Sequence, residues 1–163
     1  MFLIPYIAVI LGILVLISLK RGAVFLPMRQ GAVDKMVRML EIKPGDKAVD
    51  LGSGDGRVVI ALARAGAEAH GYEHNPLLVW YSCFRIYRAG LSGRAFIHQG
   101  NFWKIDLAEF SVVTVFGISY VMKQLEKKLI REALPGTRVA SYVFKFPSLK
   151  PTLVDGGVSI YRF

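Results

Sequence analysis

Asp50, Gly52, Gly54 and Gly56 stand at alternate positions in VDLGSGDGR, residues 49–57, and Glu73 follows 17 residues after Gly56, in GYEHNP. A glycine turn leaving a first strand lets the backbone approach a ligand closely, and an acid ending the second strand can accept hydrogen bonds from ribose hydroxyls. Two cofactor classes use such a turn. A dinucleotide needs G-x-G-x-x-G, whose third glycine permits close helix–sheet packing. Counted from Gly52 and Gly54, that third position is Arg57, so the fingerprint fails. The spacing present is G-x-G-x-G. A pyrophosphate also wants helix N-terminal amides without acids beside them, and Asp50 and Asp55 would repel it. A cofactor carrying an amino group and a sulfonium would tolerate or prefer those acids.

The elements that must position these residues alternate from residue 32 onward. AVDKMVRMLEI, with apolar Val33, Met36, Val37 and Leu40, has helical spacing and stops at KPGD. KAVDLG predicts a short strand breaking into the glycine loop, RVVIALARAG a helix, and EAHGYEH a second strand. PLLVWYSCFRIYRAG opens with a proline suited to a first helical turn. RAFIHQG and FSVVTVFG predict strands three and four, YVMKQLEKKLIREAL a helix, RVASYVFKF a fifth strand and GVSIYRF a last one. Whether PTLVDGG adds a further strand is left open by its pattern. Alternation of this length predicts a parallel sheet covered on both faces, with ligands at the carboxyl ends of its strands.

At 163 residues, one domain is expected after an unusual start. Residues 2–19 carry no charge and would make a helix of about 27 Å, enough to cross a bilayer's hydrocarbon. Lys20 and Arg21 follow directly. A cleaved signal would place its charge first and small residues after, so a membrane anchor over residues 1–21 and a domain over 22–163 are expected. The positive-inside rule then leaves the domain in the cytoplasm, or in the mitochondrial matrix. The net charge of +9 falls entirely after residue 19 and is scattered, which reads as compatibility with a membrane surface rather than as a nucleic-acid stripe. Cys83 is the one cysteine, so neither a disulfide nor structural zinc is expected.

The acid–GxGxG loop paired with Glu73 resembles the class I S-adenosylmethionine-dependent methyltransferases. VDLGSGDGR, GYEHNPLLVWYS, YRAG and FGISYVMKQLEKKL, behind an apolar N-terminal segment, are similar to the membrane-associated protein-lysine methyltransferases of mitochondria, which modify the adenine nucleotide translocase and the ATP synthase c-subunit, and to their prokaryotic relatives. GNFWKID, SVVTVF and LPGTRVAS are also similar to an archaeal protein-lysine methyltransferase. The likeness runs from about Phe25 to the C-terminus. It implies an α/β, Rossmann-like, doubly wound and mainly parallel sheet of six to seven strands. It further implies S-adenosylmethionine as cofactor and a lysine-bearing protein, in or beside the same membrane, as substrate. Asp50, Gly52, Ser53 and Gly54 would lie against the methionine end of the cofactor, Glu73 at the ribose, and Asn101 and Phe102 at the adenine. Read as residues alone, a surface acid is the lesser alternative for Glu73, while Phe102 and Trp103 are equally core aromatics. FLP, residues 25–27, resembles the segment leading into the family's first helix, but Met28 departs from the small or hydroxylic residue usual after it.

The acceptor follows partly by exclusion. Enzymes that methylate amide or adenine nitrogens carry an Asn/Asp-Pro-Pro-aromatic loop after strand four; here the chain reads FGISY. Cys83 sits mid-helix and not on a motif loop, which excludes cytosine C5 chemistry, and the acids past Glu73 are too sparse for a metal-dependent catechol site. An amine acceptor fits, since methyl transfer to nitrogen needs mainly positioning and exclusion of water. The groups of Ile118, Ser119 and Tyr120 are the candidates for orienting the neutral amine. Trp80, Tyr81, Phe84 and Tyr87 recur at helical spacing; a recognition stripe is one reading, and packing of their helix against the sheet is the expectation.

Overall fold

The computed structural model describes residues 27–117 and 119–163. The expected anchor and Ile118 therefore lie outside the described residues, and among those described no helix is long and apolar enough to cross a membrane. Among the described residues four helices, α1 (Gln30–Leu40), α2 (Arg57–Arg64), α3 (Pro76–Arg88) and α4 (Ser119–Glu132), flank one sheet. Its strands are β1 (Lys47–Leu51), β2 (Glu68–Glu73), β3 (Ala95–Gln99), β4 (Val112–Val115), β5 (Arg138–Tyr142), β6 (Leu153–Asp155) and β7 (Val158–Arg162). Their order is β3-β2-β1-β4-β5-β7-β6. The pairings from β3 to β5 are parallel, while β7 runs antiparallel to both β5 and β6. PTLVDGG thus supplies the seventh strand.

The strand sequences explain the two-layered core. In β1, Ala48 faces a cluster built with α1, α2 and α3, through Val33, Met36, Leu62 and Ile86. Val49 and Leu51 face the opposite cluster, built with Met122, Leu125 and Leu129 of α4. Such alternation in a central strand buries both faces of the sheet. Three helices cover the first face. On the second, α4 is joined by two short 3-10 turns, Phe102–Lys104 and Leu107–Glu109.

At the amino edge of the sheet a buried ion pair locks the layers together. Arg138 of β5 pairs with Asp46, just before β1, and donates to the carbonyls of Leu40 (2.8 Å) and Glu41 (2.6 Å) at the end of α1. Ser111 Oγ donates to the same carboxylate at 2.9 Å. Those carbonyls have no partner within their own helix, so the guanidinium caps α1 while the carboxylate neutralises it.

Candidate active site

Along the carboxyl edge the candidate residues fall in one spatial row. β2 lies between β3 and β1, and β1 lies between β2 and β4. Asn101 and Phe102 therefore follow the end of β3, Glu73 ends β2, Gly52 to Gly54 follow β1, and Ser119 and Tyr120 open α4 just beyond β4. Adjacent strands are about 4.8 Å apart, so the row is several strands wide. The structure brings these residues to one edge although they span 70 residues of sequence.

The loop's conformation depends on its glycines. Gly52, Gly54 and Gly56 have φ of 81°, 55° and 74°, the left-handed region that side chains resist. The chain folds back on β2: the amides of Gly52 and Ser53 donate to Tyr72 O at 2.9 and 3.0 Å, and the Gly54 amide donates to Glu73 Oε2 at 2.9 Å. Glu73 Oε1 accepts from the amides of His74 and Asn75, both at 2.8 Å. Three backbone donors fix this half-buried carboxylate, and a carboxylate has about four acceptor positions, so one is left over. These bonds fix the position of the Glu73 carboxylate. The Gly100 amide donates to Glu73 O at 3.0 Å, which draws the end of β3 to the same place.

Ser53 turns inward. Its hydroxyl is buried with no hydrogen-bond partner among the described residues, and a side chain at Gly71 would strike it at 2.7 Å. Only the backbone of Ser53 can thus serve a ligand. Gly52 has open space where its side chain would project, the bare approach that a ligand needs. Asn101 Oδ1 caps the first 3-10 turn, accepting from the Trp103 amide at 3.0 Å. Phe102 and Trp103 have ring centres 4.8 Å apart and pack at partial burial against the second core cluster. The core-aromatic reading of Phe102 thus has support in this packing, and the ring is only partly buried. Tyr120 and Ser119 are exposed.

Electrostatics separate the two loop acids. Asp55 is buried, which by itself would raise its pKa, but hydrogen bonds from Arg57 and the charges of Arg85 and Arg57 hold it below its ordinary value. Arg57 bonds it at 2.8 and 2.7 Å and Arg85 at 2.5 Å. Asp55 is therefore already neutralised and does not act on a ligand, contrary to the expectation that it repels pyrophosphate. Asp50 is different. Burial, opposed by a 2.7 Å hydrogen bond from Thr114 Oγ1 and reinforced by the charges of Glu73 and Asp55, pushes its carboxyl from 3.8 up to about 7. Asp50 and Glu73 together leave a site short of positive charge, suited to a cationic ligand and hostile to a pyrophosphate. Among the described residues no cluster of His, Cys, Asp and Glu could hold a metal ion.

Several supporting residues escape a reading of motifs. Ser82 of α3, fully buried, donates to Gly54 O at 2.8 Å and braces the loop from behind. Thr114 has a readable signal, as the one polar residue of the buried strand VVTV, in register with Asp50. Met28, the departure after FLP, is buried in the first core cluster, and its carbonyl accepts from Arg57 Nη1 at 2.5 Å. The aromatic residues of α3 contradict the packing expectation: Trp80, Tyr81, Phe84 and Tyr87 all point outward.

The chain is 46% identical over 132 residues to the ATP synthase c-subunit lysine N-methyltransferase of Mus musculus, a match covering 81% of the chain and 53% of the relative. It is 35% identical over 129 residues to a protein-lysine N-methyltransferase of Saccharolobus islandicus, covering 78% of the chain and 80% of that protein. The chain spans little more than half the length of the mammalian relatives it matches. Among solved structures, an RNA methyltransferase of Salinibacter ruber in complex with S-adenosyl-L-homocysteine superposes with a TM-score of 0.78 at 32% identity, covering 85% of this chain and 92% of that one. The model of the ANTKMT methyltransferase domain matches residues 50–153, from the buried acid to the sixth strand, and the chain belongs to that family.

Proposed function

We propose that this protein transfers methyl groups from S-adenosylmethionine to lysine side chains of a protein held in or beside a membrane. The observation that carries the proposal is the order of groups along the carboxyl edge: Asn101 and Phe102, then Glu73, then the glycine loop with Asp50, then Ser119 and Tyr120. That order matches a ligand laid across the strands as adenine, ribose and methionine, with the acceptor beyond. The fit extends to charge, because a cofactor carrying a sulfonium and an α-ammonium would enter a site whose carboxylates, Asp50 and Glu73, have no cationic partner among the described residues. When bound, the cofactor supplies a methyl group on a positively charged sulfur. Glu73 has an acceptor position left for a ribose hydroxyl, and the bare backbone at Gly52 admits close contact. The lysine must arrive neutral, having lost its proton from a group of pKa about 10.4. Its lone pair would then accept the methyl group that the bound cofactor would supply, the C–S electrons staying with sulfur. Ser119 and Tyr120 orient that amine by their hydroxyls.

The apolar segment 2–19 supports the membrane part of the reading: residues 1–21 anchor the chain, residues 22–163 form the catalytic domain, and the domain sits on the cytoplasmic or matrix side. A second reading, methylation of RNA, is favoured by the Salinibacter ruber likeness and by the net charge of +9. Methylation of a small-molecule or lipid amine, or cofactor binding without catalysis, are the remaining alternatives. Calorimetric titration with S-adenosylmethionine, followed by methyl labelling of membrane fractions, separates them all. Micromolar binding lost in Glu73→Ala and Asp50→Ala, with label in protein lysine, is the expected result. Label in extractable lipid or in RNA would replace the substrate assignment, and absence of binding by the intact protein would end the catalytic one.

A further inference from the structure

Helix α3 presents its apolar residues to the wrong side. Of its 13 residues only Ser82 and Ile86 are buried, while Trp80 is 69% and Tyr87 75% exposed, with Leu77, Tyr81 and Phe84 exposed beside them. The rings form one stripe at a helical repeat. Trp80 and Phe84 stack with centroids 6.2 Å apart, Arg88 lies 6.0 Å from the Phe84 ring and Arg85 lies 5.8 Å from Tyr81. Arg85 joins the stripe to a groove of about 320 Å³ between α1, α2 and α3, whose lining includes Arg38, Arg57, Arg64 and Arg85. Four guanidinium charges there meet two carboxylates, Asp34 and Asp55, which leaves an excess of two positive charges. No acid occurs in the sequence between Glu73 and Asp106.

We propose that the outer face of α3 and the arginine groove beside it seat the domain on the anionic headgroup layer of a membrane. Exposed Trp and Tyr with arginines at their edge is the composition of a membrane–water interface: the rings enter the acyl boundary and the cations meet phosphates. Aromatic rings with arginines also suit single-stranded nucleic acid. What favours lipid is where the chain enters the fold. Met28 is fastened to Arg57 on the groove wall, nine residues after the last residue of the apolar run, a distance of at most about 32 Å when fully extended. A helix of 13 residues is about 20 Å long, so a bilayer holding residues 2–19 comes within reach of the whole stripe. This inference rests on the anchor reading above.

The two tryptophans of the chain allow a direct test. Trp103→Phe leaves Trp80 as the sole indole, and Trp80→Phe leaves Trp103. Each full-length variant is reconstituted into phosphatidylcholine vesicles with and without phosphatidylglycerol, their acyl chains brominated near the headgroup. Trp80 is expected to shift to the blue and lose most of its emission in the anionic vesicles, while Trp103 keeps its own. Equal quenching of the two, or none, overturns the seat. Arg38→Gln and Arg64→Gln should each weaken the phosphatidylglycerol-dependent quenching about five-fold; unchanged quenching would remove the groove from the seat. Vesicle flotation reads the anchor separately. A chain that floats with Trp80 unquenched retains the anchor and refutes the seat, and a chain that stays behind refutes both. Shielding of Trp80 only by an RNA oligonucleotide would assign the face to nucleic acid and overturn the lipid reading.

Discussion

Asp46 and Asp50 stand at the two ends of β1, both buried, and their surroundings oppose each other. Asp46, at the amino end, has the Arg138 guanidinium, the Ser111 hydroxyl and the Lys43 amide as partners. Asp50, at the carboxyl end, has the hydroxyl of Thr114 and two neighbouring carboxylates, and its carboxyl sits at about 7. A buried charge without a partner costs the fold several kcal/mol. The amino end has removed that cost and the carboxyl end retains it. The difference teaches where the molecule holds its structure and where it waits for a cationic ligand.

The comparison breaks most visibly at Arg138. Arg138→Met would leave the Asp46 carboxylate buried beside hydroxyl and amide alone and free two carbonyls of α1. A loss of about 3–5 kcal/mol is expected, read as a fall of roughly 10 °C in melting temperature. Cofactor affinity measured well below the new midpoint should stay within about two-fold, the size of ordinary remote effects. A large loss of affinity in the folded variant would show that the two ends are not separate.

Asp50→Asn should act in the reverse sense. A carboxyl raised from 3.8 to about 7 costs the folded state up to about 4 kcal/mol at neutral pH. The asparagine amide needs partners of its own, so a net gain of about 2 kcal/mol in the ligand-free protein is the expected outcome by denaturant titration. Affinity for S-adenosylmethionine should drop at least about ten-fold, the loss of one charge-assisted contact. Destabilisation together with unchanged affinity would remove Asp50 from the site.

Titration sharpens the same point without a mutation. Below pH 3.8 both folded and unfolded Asp50 hold a proton and no penalty exists. Between 3.8 and about 7 the unfolded state releases it while the folded state keeps it, so ligand-free stability falls as pH rises through this window and levels off above it. Asp55, held low by its arginines, contributes the opposite slope, losing stability only as pH falls through the acid range. Affinity for a cationic cofactor should climb across pH 6–8, where Asp50 ionises. A flat affinity profile in calorimetry, with the protein folded throughout, would contradict this account.

Much of this was legible in the residues because the chemistry of the edge is local. The glycine spacing, Asp50 and Glu73 each stand on a short strand end whose neighbours announce it, and the alternating elements followed from period and punctuation. The fold's lock was not legible: Asp46 and Arg138 are 92 residues apart, and nothing in either's surroundings names the other. The α3 stripe failed for a different reason. Its spacing correctly placed Trp80, Phe84 and Tyr87 on one face, but periodicity cannot say which side of a helix faces the sheet. Here the inward side carries Ser82, which braces the glycine loop, and Ile86, which joins the first core cluster. Thr114 lay between these cases, a polar residue alone in a buried strand, which demands a partner before one is known.

Thr114→Val is the smallest change and the one that tests the partnership itself. The shape is nearly kept, and the single hydroxyl that donates to Asp50 is removed. Without that donor the ionised carboxyl loses its one stabilising hydrogen bond, so the Asp50 pKa should rise further by somewhat less than one pH unit, the equivalent of about 1 kcal/mol. At pH 7 a larger share of Asp50 is then protonated and cofactor binding should weaken a few-fold. At pH 8.5 the carboxyl ionises in both proteins and most of the difference should vanish. A loss of binding that persists at high pH would mean that Thr114 shapes the loop rather than setting the charge of Asp50. Recovery would show that one hydroxyl tunes how readily the carboxyl end of β1 accepts a cation.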